Sequence, residues 1–563
     1  MKKLNFDSMK VLKNWTTGVL LISVLSCTKK ETTTTPPIET PTNFALKATT
    51  INGQPATGMN YGIPVEPTLQ LQFGAPLDPT SLPAVTLNGP AGTAITINTT
   101  LNGGDSTVRV QPAQALTYLA SYTLTVSAAL KSKSGGKLNT AATISFNTGI
   151  DSSDKFPRLT DDALLDLVQQ QTFKYFWDFG HPVSGLARER NTSGDVVTTG
   201  GSGFGIMAIV AAVHRQFITR ADGLARLQKI VGFLKNKAQT FHGAFPHWLD
   251  GSTGTVVPFS EKDNGADLVE TSYLMQGLLC TRQFFNGADA AETTLRNDIN
   301  TLWNAVEWNW FRRGAENVLY WHWSPDYEWE MNVPIHGWNE ALITYVLAAA
   351  SPNYAIPKQV YDEGWASNGG IKNGATYYGE QLPLGPPNGG PLFFEHYSFL
   401  GINPNNLQDA YADYDAQTKA HALINYNYCV ANPKQFYGYS ALCWGLTASD
   451  DVTGYLAHEP NNDDGVISPT AALSSFPYTP QQSIQALRFF YYTLGDRLWK
   501  DYGFVDAFSL HHLWFANSFL AIDQGPVIIM IENYRSGLLW DLFMSCPEVK
   551  SGMKSLGFTS PHL

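Results

Sequence analysis

The stretch FSEKDNGADLVETSYLMQGLL, from Phe259 to Leu279, gathers Glu261, Asp263, Asp267 and Glu270 just ahead of a long apolar run. Charged residues make up only 15% of the chain, so four carboxylates at one helix entrance require either a capping role or a chemical one. Carboxylate pairs suit hydrolysis of a glycosidic bond: one acid protonates the leaving oxygen while a second carboxylate activates water or attacks carbon. The acid must stay protonated near neutral pH, which favours a site shielded by apolar groups. Glu261, preceded by Pro258 and Phe259, could meet that demand, and WGLTASDD offers Asp450 and Asp451 as distant partners. Asp267 reads as an N-cap. Glu270 shares a predicted helix face with Asp263 and Asp267, and like charges so placed repel unless a polar partner relieves them.

Seven of the fifteen tryptophans lie between Trp303 and Trp338, where WHWSPDYEWEMNVPIHGWNEAL interleaves them with Asp326, Glu328, Glu330, His322 and His336. Indole faces stack on sugar rings while carboxylates and amides meet hydroxyls, so the mixture suits a saccharide better than an aliphatic core. Shorter mixtures recur at FPHWLDG, with Trp248, and at PLFFEHYSFLG, with His396 and Tyr397. Other chemistries lack their motifs. No GxSxG elbow or Walker sequence occurs, and GGSGFG (200–205) reads as a glycine loop entering the apolar run IMAIVAAV. The histidines lack HExxH spacing, and DNGAD and NNDDG lack the EF-hand ligand order and read as turns, so neither a metal nor a cofactor is expected.

Two unlike regions must hold these groups. After Asp151 the apolar residues recur three and four apart, beginning with TDDALLDLVQQQTFKYFWDF, whose Thr160 is a natural N-cap. Further helical runs include ADLVETSYLMQGLLCTRQFF, GYSALCWGL and TPQQSIQALRFFYYTL. Several are apolar on most faces, as in helices sandwiched between a lumen and an outer layer. The fold class is therefore mainly α, with residues 151–563 as an α/α toroid and an irregular bundle as the alternative. Residues 42–150 instead alternate apolar and polar positions in short runs such as LQLQF, STVRV and YTLTV, the pattern of a β-sandwich. That region resembles bacterial immunoglobulin-like domains and reads as a spacer; a sugar platform on it would have to use Tyr61, Tyr118 or Tyr122.

The N-terminus, MKVLKNWTTGVLLISVLSC from Met9, resembles a bacterial lipoprotein signal, with Cys27 the lipidated residue at the end of residues 1–27. Residues 28–41 (TKKETTTTPPIETP) form a Thr- and Pro-rich tether. The expected location is the cell envelope, with the chain anchored by lipid to the outer membrane. A formal charge of −11, with no basic block beyond the first few dozen residues, argues against nucleic acid as a partner. Cys280, Cys429, Cys443 and Cys546 show no metal spacing; a Cys429–Cys443 bridge is open on sequence alone.

TFKYFWDFG, TGGSGFGIMAI, FSEKDNGADLVETSYLMQGLL, WSPDYEWEMNVPIHGWNEAL, FFEHYSFLG and WGLTASDD together resemble the glucoamylase-like proteins of glycoside hydrolase family 144, over roughly Asp154 to the C-terminus. The resemblance implies an (α/α)6 barrel, and a monomer is expected. The implied activity is endo-hydrolysis of linear β-1,2-glucan to sophorooligosaccharides with inversion of configuration. It assigns Glu261 as general acid and Asp450 as general base, with Asp451 adjacent. It implies subsite roles for Trp177, Asp178, Glu189, Trp248, Glu270, Trp323, Asp326, His336, Trp338, Glu340, His396, Tyr397 and Asp451. Two other classes compete: a non-catalytic glycan-binding lipoprotein, which has no use for separated acidic motifs, and a hydrolase or lyase acting on another polysaccharide. A lyase needs cations at a uronate carboxylate, and the Trp-rich segments here are acidic.

Overall fold

The computed structural model describes residues 41–563. The expected signal, the lipidated Cys27 and all but the last residue of the 28–41 tether lie outside the described residues.

Alternation builds the first layer pair. The strands are β1 (Leu46–Ile51), β2 (Gln54–Pro55), β3 (Met59–Ile63), β4 (Leu69–Phe73), β5 (Val85–Asn88), β6 (Ala94–Ile95), β7 (Ile97–Asn102), β8 (Thr107–Pro112), β9 (Ser121–Val126) and β10 (Ala142–Thr148). They form two five-stranded sheets, β2-β1-β4-β8-β7 and β3-β10-β9-β5-β6, antiparallel except where β3 meets β10. In β4, Leu69, Leu71 and Phe73 are buried while Gln70 and Gln72 are exposed, and the inward set packs with Val108, Val110, Leu124 and Phe146. The three tyrosines considered for a sugar platform are dispersed. Tyr122 is buried against Phe146, Tyr118 is exposed, and Tyr61 stacks on Tyr437 and His511 of the helical region.

The remainder carries thirteen α-helices among the described residues: α1 (Asp161–Trp177), α2 (Thr199–His214), α3 (Arg220–Asn236), α4 (Leu268–Phe284), α5 (Ala290–Ala305), α6 (Leu342–Ala350), α7 (Tyr414–Ala431), α8 (Pro469–Leu473), α9 (Pro480–Arg488), α10 (Gly495–Leu498), α11 (Ala521–Ser536), α12 (Leu538–Met544) and α13 (Pro547–Leu556). The helices buried along most of their length, α2, α4, α6, α8 and α11, pack in succession as an inner ring, while α1, α3, α5, α7, α9 and α13 lie outside them. This is the α/α barrel. Its tightest seam joins α2 to α4, where a Cβ on Gly203 would stand 2.2 Å from the Tyr273 carbonyl oxygen and one on Gly277 2.3 Å from that of Gly203. Thr160 caps α1 as expected, accepting from Ala163 N–H.

Two local expectations fail. GGSGFG is not a loop: it lies inside α2, its glycines allowing neighbouring chain to approach closely. GYSALCWGL is not a helix, because Gly438 and Gly445 take φ of 102° and 129°, far from helical values. The chain instead runs into a short strand, Ala448–Asp451, paired antiparallel with Gly454–Ala457. Cys280, Cys429, Cys443 and Cys546 are buried free thiols. Among the described residues, no helix is long and apolar enough to cross a membrane.

Candidate active site

Thr198, Glu270, Glu340 and Leu520 sit at or just before the N-terminal ends of α2, α4, α6 and α11, and all four line one cavity of about 440 Å³. That size suits a small-molecule or sugar site. Helix N-termini present free N–H groups and a positive dipole end, so the barrel favours carboxylates here. Glu270 uses this directly, its Oε2 accepting from Gly200 N–H at 2.7 Å and Thr198 Oγ1 at 3.4 Å. Burial nonetheless raises its pKa.

Glu340 lies two residues before α6, with its main-chain carbonyl accepting from Ser398 Oγ and, at 3.4 Å, from the Tyr273 hydroxyl. Its carboxyl group has no side-chain partner among the described residues and faces the cavity. Burial, helped by Glu270 and Asp267, pushes its pKa up to about 7. A carboxyl group so placed can hold a proton at neutral pH and release it to a bound molecule.

Below Glu270 lies a charge cluster. Asp267 caps α4 through Oδ1, accepting from Val269 and Glu270 N–H, and its Oδ2 meets His247 Nδ1 at 3.1 Å. Burial opposes charge on His247, but Glu270, Asp267 and Asp263 outweigh it and hold the imidazole up at about 9. Asp263, on the preceding turn, is pushed up to about 7 by burial and by Asp267, and lies 3.4 Å from His322 Nε2. His247, Asp263 and Asp267 each bring one donor atom within 4.8 Å of the others, a spacing that a cation could bridge. Here His247 pairs with Asp267, while Asp263 turns toward His322.

Another wall is built around Arg190. Its guanidinium bonds Glu189 at 3.0 and 3.1 Å and Asp450 at 3.1 and 3.3 Å. Asp450 also accepts from Ser518 Oγ, and its N–H donates to Asp506 Oδ2 at 2.7 Å. Asp506 in turn meets Asp523, both are buried, and burial raises both, Asp506 to about 7. Glu189 and Asp450 thus share one cation, with the Asp506–Asp523 pair behind Asp450.

Of the residues expected from sequence, Glu189, Trp248, Glu270, Glu340 and Tyr397 line the cavity, and Asp450 joins it through Arg190. Glu261 does not have the shielded position assigned to it. The tight turn Ser260–Asp263 directs Phe259 into the cavity wall and leaves Glu261 exposed, accepting from the Tyr327 hydroxyl at 3.0 Å. Trp323 packs against His242 and Trp310, and Asp326 accepts from Asn264. The Trp338 indole donates to buried Glu395 at 2.7 Å, and His396 bonds Ser475, burial lowering its pKa to about 3. Both serve packing. His336 and Asp178 are exposed, Trp177 lies under the Arg226 guanidinium, and Asp451 accepts from Thr453 in its own hairpin. None of these lines the cavity.

His247, in the FPHWLDG mixture, lines the cavity beside Trp248, whereas Arg190, Asp506, Asp523 and Tyr455 were missed. Two carried a signal: Asp506 in YGFVDAFSL and Asp523 in FLAIDQGPVII are single acids inside apolar runs, positions at which burying a charge is costly unless it is used.

Residues 332–547 match the family model described as "Putative glucoamylase", and residues 41–148 match "Bacterial Ig-like domain". Over 421 residues, 71% of the chain, the sequence is 49% identical to an exo β-1,2-glucooligosaccharide sophorohydrolase (non-reducing end) of Parabacteroides distasonis. The match spans little more than half of that relative, 58% of its length. The structure of an endo-β-1,2-glucanase from Chitinophaga pinensis is 54% identical and superimposes with a TM-score of 0.71, covering 72% of this chain and all of that one. A β-1,2-glucanase structure from Parabacteroides distasonis, 39% identical with a TM-score of 0.69, covers 92% of this chain and 74% of its own.

Proposed function

Because the chain belongs to the glucoamylase-like proteins of glycoside hydrolase family 144, we propose that it cleaves β-1,2-glucan internally, with Glu340 as proton donor and Asp450 as base. The observation that carries this reading is the carboxyl group of Glu340, without a side-chain partner and with its pKa raised to about 7, in a cavity whose Arg190 wall holds Asp450. Glu340 gives its proton to the glycosidic oxygen as the bond to the anomeric carbon breaks. Water adds to that carbon from the opposite face, and its proton passes to Asp450, directly or through a sugar hydroxyl. One displacement inverts the anomeric configuration. Glu270 and Glu189 are placed to accept from glucosyl hydroxyls, and Trp248 and Phe259 offer ring faces for stacking.

Internal cleavage is favoured by the cavity mouth, where Phe259 and Tyr455 are each about half exposed and a chain can lie across them. The exo mode named for the Parabacteroides relative is the second reading. Incubation with linear β-1,2-glucan tests both. New reducing ends with an early ladder of sophorooligosaccharides are expected, and sophorose alone from the first minutes would replace endo by exo. Absence of new reducing ends overturns the hydrolase reading. Proton NMR of the first-formed product reports the anomer, and retention would displace the single-displacement scheme. Lipidation at Cys27 belongs to the same proposal, as it would keep the enzyme at the envelope where glucan arrives.

A further inference from the structure

The strand pair Ala448–Asp451 and Gly454–Ala457 carries Asp450 and Asp451 on its first strand, and its second strand brings another group to the cavity. Asp450 and Tyr455 are directly opposite in the antiparallel register, so their side chains leave the same face of the hairpin. Tyr455 lines the cavity together with Arg190, Ala448, Tyr397 and Ile522. Half of its surface, 51%, is open, and desolvation of the side chain together with Asp523, Asp506 and Asp450 raises its pKa well above the ordinary value. The hydroxyl group therefore stays protonated as a donor. Among the described residues it has no hydrogen-bond partner. A hydroxyl without a protein partner, on a cavity-lining ring directly across the hairpin from Asp450, leaves a donor available to a polyhydroxyl ligand.

Resting on the reading of the cavity as a glucan-hydrolysing site, we propose that Tyr455 is a further substrate-positioning residue, its ring covering a glucosyl unit at the mouth and its hydroxyl donating to that unit beside Asp450. Tyr397 and Tyr273, in edge-to-face contact at 5.6 Å, continue the row of phenols toward Glu340, to whose carbonyl Tyr273 donates. In this proposal the sugar bridging acid and base meets the hydroxyl groups of Tyr397 and Tyr455 and the Tyr455 ring, while Tyr273 holds the Glu340 backbone. The two parts of the side chain have separable effects: ring stacking adds to binding in ground and transition state alike, whereas the hydroxyl fixes the orientation in which water attacks.

Steady-state kinetics on linear β-1,2-glucan with Tyr455→Phe and Tyr455→Ala test this. Tyr455→Phe keeps the ring and should lower kcat about tenfold to a hundredfold with KM within about twofold and an unchanged melting temperature. Tyr455→Ala should lose the same kcat and also raise KM severalfold. Wild-type kcat in Tyr455→Phe overturns the inference while leaving the glucanase reading intact. So does a loss accompanied by a matching fall in melting temperature, which marks a structural role. If the wild-type enzyme itself does not cut the glucan, the functional reading fails, and this inference fails with it.

Discussion

Glu340 carries opposing demands of stability and chemistry, and both can be measured through its titration. Burial raises its pKa from the ordinary value of about 4.5 to about 7, so the folded state keeps the proton over a range in which the unfolded chain has lost it. Stability from this group is fully present below pH 4.5 and is lost as pH rises through 7, a cost of about 3 kcal/mol once the carboxyl group is ionised in place. Glu340→Gln removes that cost. Its melting temperature should match wild type near pH 4 and exceed it at pH 8, while hydrolysis falls by at least about a hundredfold at every pH. The same proton sets the activity profile. As the donor must be protonated, kcat/KM of the wild type should decline above about pH 7, and a plateau continuing to pH 9 would remove Glu340 from the donor role. Glu261→Gln, in contrast, alters an exposed side chain bonded to Tyr327 and should retain most of the wild-type rate.

At the scale of elements, the α2–α4 seam places Glu270 against Gly200 and Tyr273 against Tyr397, so the cavity depends on two helices approaching at glycine distance. Gly203→Ala drives a methyl group into the Tyr273 carbonyl, where backbone rather than a flexible side chain must yield. A loss of about 3 kcal/mol, seen as a lower melting temperature with reduced turnover, is expected. Gly232→Ala is the matched control. In the outer helix α3 its added Cβ meets nothing within 4 Å, and the gain in helix propensity should stabilise by about 0.5–1 kcal/mol without touching activity. Equal effects from the two substitutions would remove the seam argument. These elements were legible where one signal dominated: the Thr160 cap, the Asp267 cap and the apolar periodicity of α4 are local facts of the chain. The site was less so. Glu261 and Glu270 sit in the same acidic stretch, and only a tight turn decides that one faces solvent and the other the barrel. Asp506 and Asp523 meet Asp450 through contacts across more than fifty residues, which no spacing rule registers.

At the scale of the molecule, the chemistry and its placement belong to different parts. The cavity is lined wholly by residues from Glu189 onward, and lipidation of Cys27 would only position it; Cys27→Ser is expected to move the protein from the membrane fraction to the soluble one with hydrolysis unchanged. The sandwich is more than a free bead on that tether. Tyr61 of β3 stacks on His511 at 4.4 Å and on Tyr437 at 5.7 Å, and its hydroxyl meets His511 Nε2 at 2.9 Å. Gly62 beside it passes within 3.0 Å of the Tyr437 ring when given a Cβ, so the contact is close on the backbone side as well. Two aromatic pairs and one hydrogen bond amount to about 2–4 kcal/mol, enough to fix an orientation but not to hold it against a single deletion. Tyr61→Ala should therefore loosen the sandwich from the barrel, which limited proteolysis in the segment GIDSSDKFP would register as faster cleavage. Turnover of soluble glucan should stay within about twofold of wild type, because no cavity residue is disturbed. A substantial fall in kcat with an intact melting curve would instead place the sandwich on the path of the glucan chain, and its role as a spacer would have to be abandoned.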